Sequence, residues 1–355
     1  MPIPTLPGIT ATTVTTPRIT TRVLFSGAED GTPVLFLHGN ASSATFWEET
    51  MLALPAGYRA IAPDQRGYGD ADHNVKIDAT RGTGDLADDA AALLDHLGYA
   101  KAHVVGHSAG GSVIWRMLMD YPERFLSVTL AAPGSPYGFG GTKDLEGTPC
   151  FDDFAGSGGG VVSQQFTQAI AEGDRSDTPT SPRGVMNAYY WKPPFKPARE
   201  EELLSSLLSE HVGGQEYPGD IVPSANWPTA APGVWGPANM LSPRYTGDVS
   251  RLYRIEPKPS ILWIRGSDDQ IVGDASLFDM GTLGSLGAVP GWPGAEVFPP
   301  QPMVGQTRAV LEQYQAAGGR YQEIVLPETG HTPYIEKPEA FNRAFHAHLE
   351  ATKAE

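Results

Sequence analysis

The sequence predicts an α/β protein, a doubly wound and mostly parallel sheet interrupted by one large insertion. Three observations carry this: short apolar runs alternate with helix-compatible segments, the alternation stops over residues 133–257, and Val104-Val105 runs straight into Gly106-His107-Ser108-Ala109-Gly110. Strands are expected at residues 20–25, 34–37, 59–62, 102–106, 127–131, 261–265 and 321–326. Several are nearly unbroken apolar runs, as suits strands covered on both faces of a parallel sheet. Helices are expected at 45–53, 84–97, 112–121, 307–317 and 338–351. Strand and helix in alternation imply right-handed crossovers. Residues 1–18, rich in Thr and Pro, read as an extended arm.

The stretch 133–257 is rich in Gly and Pro but too aromatic for a linker, with Tyr189-Tyr190-Trp191, Phe195, Trp227 and Trp235. Its clearest helix is expected at 198–210, with three glutamates in the first turn. It reads as a cap inserted between two halves of a core, 1–132 and 258–355. A second insertion, 273–305, carries Trp292. Trp191, Trp227, Trp235 and Trp292 are candidate walls for an apolar or aromatic substrate group, with plain core packing as the equal alternative.

Composition excludes several partners. A net charge of −16, from 41 acidic and 25 basic residues, repels nucleic acid and anionic lipid. No stretch approaches the roughly 18 consecutive apolar residues of a membrane span. Residues 1–7 show no basic region followed by an apolar one, so no secretory signal is expected. The single cysteine, Cys150, forbids an internal disulfide and suits a reducing, cytoplasmic location. Nothing around Cys150 would lower its pKa, so it is not expected to be a nucleophile.

The chemistry centres on Ser108. A serine on a sharp strand-to-helix turn needs small neighbours two residues either side, and Gly106 and Gly110 supply them. Its hydroxyl needs a base, and the base needs a carboxylate to hold its tautomer and orientation. His331, in Thr329-Gly330-His331-Thr332 after the last expected strand, is the candidate base. The other histidines have weaker claims: His96, His346 and His348 lie on helices and are expected to face solvent, and His38 reads as structural. After strand 261–265, Asp268 and Asp269 compete for the acid. Asp269, three residues past Gly266, is favoured, and the other aspartate then bonds its own turn. The apolar strand ending at His38-Gly39-Asn40 offers the Asn40 amide to an oxyanion, and the helix start at Ala109 offers a second. No metal-ligand spacing is present, so neither metal nor organic cofactor is expected.

These pieces, together with Asp64-Gln65-Arg66-Gly67-Tyr68-Gly69, resemble the α/β-hydrolase superfamily and its capped serine esterase branch. The resemblance implies the chain order Ser108, Asp269, His331 and a structural role for the 64–69 turn. His38-Gly39-Asn40 is also similar to haloalkane dehalogenases, but those carry an aspartate nucleophile followed by tryptophan, where this chain has Ser108 and Ala109. The expected activity is hydrolysis of a small-molecule carboxylic ester. Alternatives are C–C bond or lactone hydrolysis by the same triad, and a non-catalytic small-molecule receptor.

Overall fold

The computed structural model describes residues 3–352. Residues 1–2, where the reading of a leader begins, and 353–355, at the end of the second core segment, lie outside them. The strands in chain order are β1 (Thr10–Thr15), β2 (Thr20–Gly27), β3 (Thr32–Leu37), β4 (Tyr58–Pro63), β5 (Ala102–His107), β6 (Phe125–Ala131), β7 (Ile221–Pro223), β8 (Ala230–Pro232), β9 (Ile261–Gly266) and β10 (Tyr321–Leu326). Eight form one sheet in the order β1-β2-β4-β3-β5-β6-β9-β10. β2 runs antiparallel to β1 and β4, and the pairings from β4 through β10 are parallel.

That order places the site. The chain leaves β3 for β4 on one side and returns to β5 on the other, so the carboxyl ends of β3 and β5 flank a topological switch point. Open α/β sheets bind ligands in the crevice at such a point. Asn40 follows β3 and Ser108 follows β5. Every residue of β5 is buried, because helices cover both faces of the sheet. One apolar cluster joins Val104, Leu37 and Leu130 to helices Gly84–His96 and Ala109–Asp120 on one face. The other joins Phe36, Val105 and Ile264 to helix Pro338–Ala351.

The structure revises several boundaries. The expected arm contains β1, which pairs with β2 from Thr10↔Phe25 to Thr15↔Thr20. Only Val14 of this edge strand is buried, so it shows neither an apolar run nor a regular alternation to read. Segment 45–53 opens as a 3-10 turn, Ala44–Trp47, before helix Glu48–Leu52. The inserted helix is shorter, Glu200–Leu207, and the late helix starts earlier, Met303–Ala316. Residues between β6 and β9 add nothing to the main sheet and form the β7–β8 hairpin and short helices. Their Ile170, Met186, Tyr190, Trp191, Leu203 and Leu207 share a packed cluster with Phe36, Phe46 and Trp47.

A buried ion pair fastens the turn beneath the site. The Arg22 guanidinium of β2 donates to Asp64 at 2.9 and 3.2 Å. Asp64 also accepts the amides of Ala44 and Asp70, both at 2.9 Å, so all its lone pairs are used. Replacing Arg22 by Met strands that carboxylate, and urea unfolding should show a loss of about 3–5 kcal/mol. A loss below about 1 kcal/mol would remove this pair from the fold's supports.

Candidate active site

Ser108 sits between β5 and helix Ala109–Asp120 with φ 53° and ψ −116°, a conformation that L-residues avoid. The turn closes so tightly that a Cβ on Gly106 would stand 2.5 Å from the Gly110 carbonyl oxygen, and one on Gly110 would stand 2.2 Å from that of Leu37. Glycine at both positions is therefore a steric requirement. The Ser108 amide is tied to Ala131 O at 3.1 Å, holding the elbow to β6. Ala109 opens the helix, so its amide has no carbonyl one turn back to bond. The loop after β3 lies directly against the elbow: a Cβ on Gly39 would stand 3.0 Å from Ser108 Cβ.

His331 follows β10 and Asp269 follows β9, which pair in parallel, so both loops emerge at the same edge. The His331 Nδ1–H donates to Asp269 Oδ2 at 2.8 Å, and both side chains are almost fully buried. The other carboxylate oxygen accepts the Ile271 and Val272 amides at 2.8 and 3.0 Å. Asp269 is thus aimed by its own loop. Its neighbour Asp268 points away, paired with Lys192 at 3.2 Å and accepting from Ser267. With Nδ1 committed, the His331 Nε2 is left to accept a proton.

Two further histidines hold the loops. The His107 Nε2–H donates to the His331 carbonyl at 2.9 Å, and the two rings lie 4.6 Å apart, centroid to centroid. Burial drives the His107 pKa well below its ordinary value, so it acts as a neutral donor, with Tyr334 Oη 3.4 Å from its Nδ1. His38 is structural, as expected. Its Nδ1–H donates to Gly39 O at 2.8 Å, and its Nε2 accepts the Gln65 amide at 3.0 Å. Burial pushes its pKa down to about 4.

Sequence pattern places His107 inside the elbow with a weak claim as base, and marks no role for Thr332, Tyr190, Glu210 or Glu336, all near these loops. Trp191 is 1 % exposed inside the packed cluster, in keeping with the core-packing alternative. Trp227 and Trp292 donate their indole N–H groups to Pro290 O and Phe298 O, at 2.9 and 2.8 Å. They join the two insertions around Phe298 and Gly284. Trp235 is half-buried, its amide held by Asp220 at 2.7 Å. His348 is also corrected: its Nε2 donates to Val128 O at 3.0 Å and does not stand free in solvent. Cys150 is half-buried and its thiol is pushed up to about 12 by burial, so it carries little thiolate.

Among the described residues, one group has the makings of a metal site: His73, His211 and Glu216, whose ligand atoms lie within 4.8 Å of one another. The two imidazoles are stacked, ring centroids 3.4 Å apart, and the Lys76 ammonium already sits on Glu216. Stacked rings do not converge their lone pairs, and the carboxylate has its cation. No helix among the described residues is long and apolar enough to cross a membrane.

Comparison with known proteins agrees with this architecture. The sequence profile of the alpha/beta hydrolase fold matches residues 32–152. An AB hydrolase superfamily protein of Bacillus subtilis, YfhM, is 36% identical over 130 residues, 36% of this chain and 45% of that one. The aligned stretch spans less than half the length of that relative. The 2-hydroxy-6-oxo-6-phenylhexa-2,4-dienoate hydrolase of a Rhodococcus strain superposes with a TM-score of 0.59 at 16% identity, covering 96% of this chain and 99% of that one. Carboxylesterase CesB of Bacillus subtilis superposes with a TM-score of 0.56 at 18% identity, covering 96% and 91%. The chain has the α/β-hydrolase fold, and its residues 32–152 match the model of that family.

The buried neutral His38 couples stability to pH. Its folded pKa lies below the unfolded value of about 6.5, so its contribution is present above pH 6.5 and lost as pH falls through about 4. That loss amounts to about 3 kcal/mol. Chemical denaturation of wild type and His38→Asn at pH 7 and pH 4.5 should show the gap between them narrowing at the lower pH. A constant gap would contradict a neutral, hydrogen-bonded His38.

Proposed function

We propose that this chain is a serine hydrolase that cleaves small-molecule carboxylic esters through an acyl-enzyme on Ser108. The observation that carries the reading is the 2.8 Å contact of His331 Nδ1 with Asp269, at the rim where Ser108 occupies a strained elbow. His331 Nε2 takes the Ser108 proton as Oγ bonds to the ester carbonyl carbon. The oxyanion that forms is held by the Asn40 and Ala109 amides, each such donor typically worth about 3 kcal/mol of barrier. Collapse breaks the bond to the alkoxy oxygen, which leaves with the proton from His331. Water then gives a proton to His331, attacks the acyl carbon, and Ser108 departs reprotonated as the acid is released.

The ester reading is supported by the nucleophile's identity. A serine cannot form the aspartyl ester that dehalogenase chemistry requires, and Ala109 stands where those proteins place tryptophan. The low thiolate content of Cys150 leaves Ser108 as the better nucleophile. The likeness to CesB, a carboxylesterase, is in keeping with it. A second reading, hydrolysis of a C–C bond by the same triad, is favoured by the equal likeness to the phenylhexadienoate hydrolase. The anionic surface and lone cysteine fit a small-molecule substrate and a reducing compartment.

Release of p-nitrophenol from short- and medium-chain esters tests the proposal. Ser108→Ala and Asp269→Asn should each lower kcat by about 10³-fold or more, while Asp268→Asn leaves it nearly unchanged. Equal rates for wild type and Ser108→Ala would end the hydrolase reading and favour a receptor. Cleavage of a vinylogous diketone faster than of aryl esters would favour the C–C reading.

A further inference from the structure

The inserted segment does more than cover the crevice: it runs between the two loops the proposed reaction depends on. Met186–Tyr190 forms one turn of π-helix, a rare geometry that recurs at functional sites, and ends on Tyr190. The Tyr190 hydroxyl donates to the Ala41 carbonyl at 2.9 Å, one residue past the oxyanion donor Asn40. Ala41 itself is held at φ 45°. The Tyr190 carbonyl accepts the Thr332 hydroxyl at 2.7 Å, one residue past His331. The next residues continue the contact. Gly330 packs so closely on Trp191 and Lys192 that a Cβ there would stand 2.7 Å from the Lys192 nitrogen. Glu336 clasps both strands of chain, accepting the Gly330 amide at 2.6 Å and the Lys192 amide at 3.1 Å.

We propose that Tyr190 is a positioning residue: a strut from the insertion that fixes the oxyanion loop and the base loop relative to each other. The proposal rests on the Ser108 hydrolase reading. The chemistry needs the Asn40 amide and His331 Nε2 aimed at one carbonyl, and the two sit on loops after β3 and β10, four strands apart in the sheet. Sheet geometry alone leaves that separation to long loops. Tyr190 closes it with one hydrogen bond from its side chain and one to its backbone. Its ring is buried against Phe46, 6.0 Å between centroids, which locks the phenol's direction.

The neighbourhood suits a rigid strut. Asn40 Oδ1 accepts the Tyr68 hydroxyl at 2.9 Å, and Ser43 and Ser206 hydroxyls meet at 2.6 Å, a second tie from the insertion to the same loop. Glu210, also from the insertion, lies beside the Ala41 amide. Burial holds its carboxyl well above the ordinary range.

The test is a double-mutant cycle of Tyr190→Phe and Thr332→Val, each of which removes one hydroxyl and keeps the shape. Four readouts are taken: kcat and KM on a p-nitrophenyl ester, the rate of Ser108 labelling by a fluorophosphonate, and the thermal midpoint. A strut predicts that Tyr190→Phe lowers kcat and labelling rate together by between about ten- and a hundredfold, with KM within about twofold. It also predicts that the double variant is no slower than the slower single, because either change severs the same link. Unchanged labelling in Tyr190→Phe overturns the strut, as does a rise in KM alone, which would make Tyr190 a substrate wall. Losses that multiply in the double variant overturn it too, since they mean two independent supports. If wild-type Ser108 resists the phosphonate altogether, the hydrolase reading fails first and the strut falls with it. If wild type labels and the variants label equally fast, only the strut is lost.

Discussion

One steric constraint organises the molecule: there is no room for a side chain at either flank of the turn that carries Ser108. With Cβ atoms absent at 106 and 110, helix Ala109–Asp120 starts directly against the end of β3, within contact of the Leu37 carbonyl. The same closeness sets Gly39 on the elbow and brings the amides after both strands into one crevice. A strained serine costs on the order of 1–3 kcal/mol. It persists because β5 is buried on both faces and pinned on both edges by β3 and β6.

Around that turn, polar groups are arranged by what burial does to them. His38 and His107 are deeply buried, and burial keeps both neutral and usable as directed donors. The buried aspartates are treated differently: Asp269 receives two backbone amides besides the imidazole. Asp64 receives a guanidinium and two amides. Charge is kept where it is fully hydrogen-bonded and suppressed elsewhere, which is what a low-dielectric site requires. Glu210 is the instructive extreme, a fully buried acid from the insertion whose pKa burial raises well above the ordinary range.

Much of this was legible in the sequence, for reasons that also mark where reading fails. The parallel strands are short apolar runs, and the elbow's glycines answer to a local steric rule, so fold class, Ser108 and the two flanking loops could be read directly. Asp269 is favoured over Asp268 by its spacing from Gly266, and in the structure it turns back onto the amides of 271 and 272. β1 was missed because only Val14 of this edge strand is buried, which leaves no apolar run or alternation to read. Trp191 lies buried in the packed cluster, and Tyr190 beside it drew no role of its own. A buried phenol that bridges residues 41 and 332 leaves no trace in local pattern, since both partners lie far away in the chain.

The central claim is that Ser108, the Asn40 and Ala109 amides and His331 converge on one carbonyl. A crystal structure of the phosphonate adduct measures it most directly. The account predicts a phosphorus–oxygen bond to Ser108 Oγ, a phosphoryl oxygen within hydrogen-bond reach of both amides, and His331 Nε2 beside the adduct. A phosphonate attached elsewhere, or one on Ser108 with its oxygen turned away from residues 40 and 109, would contradict it.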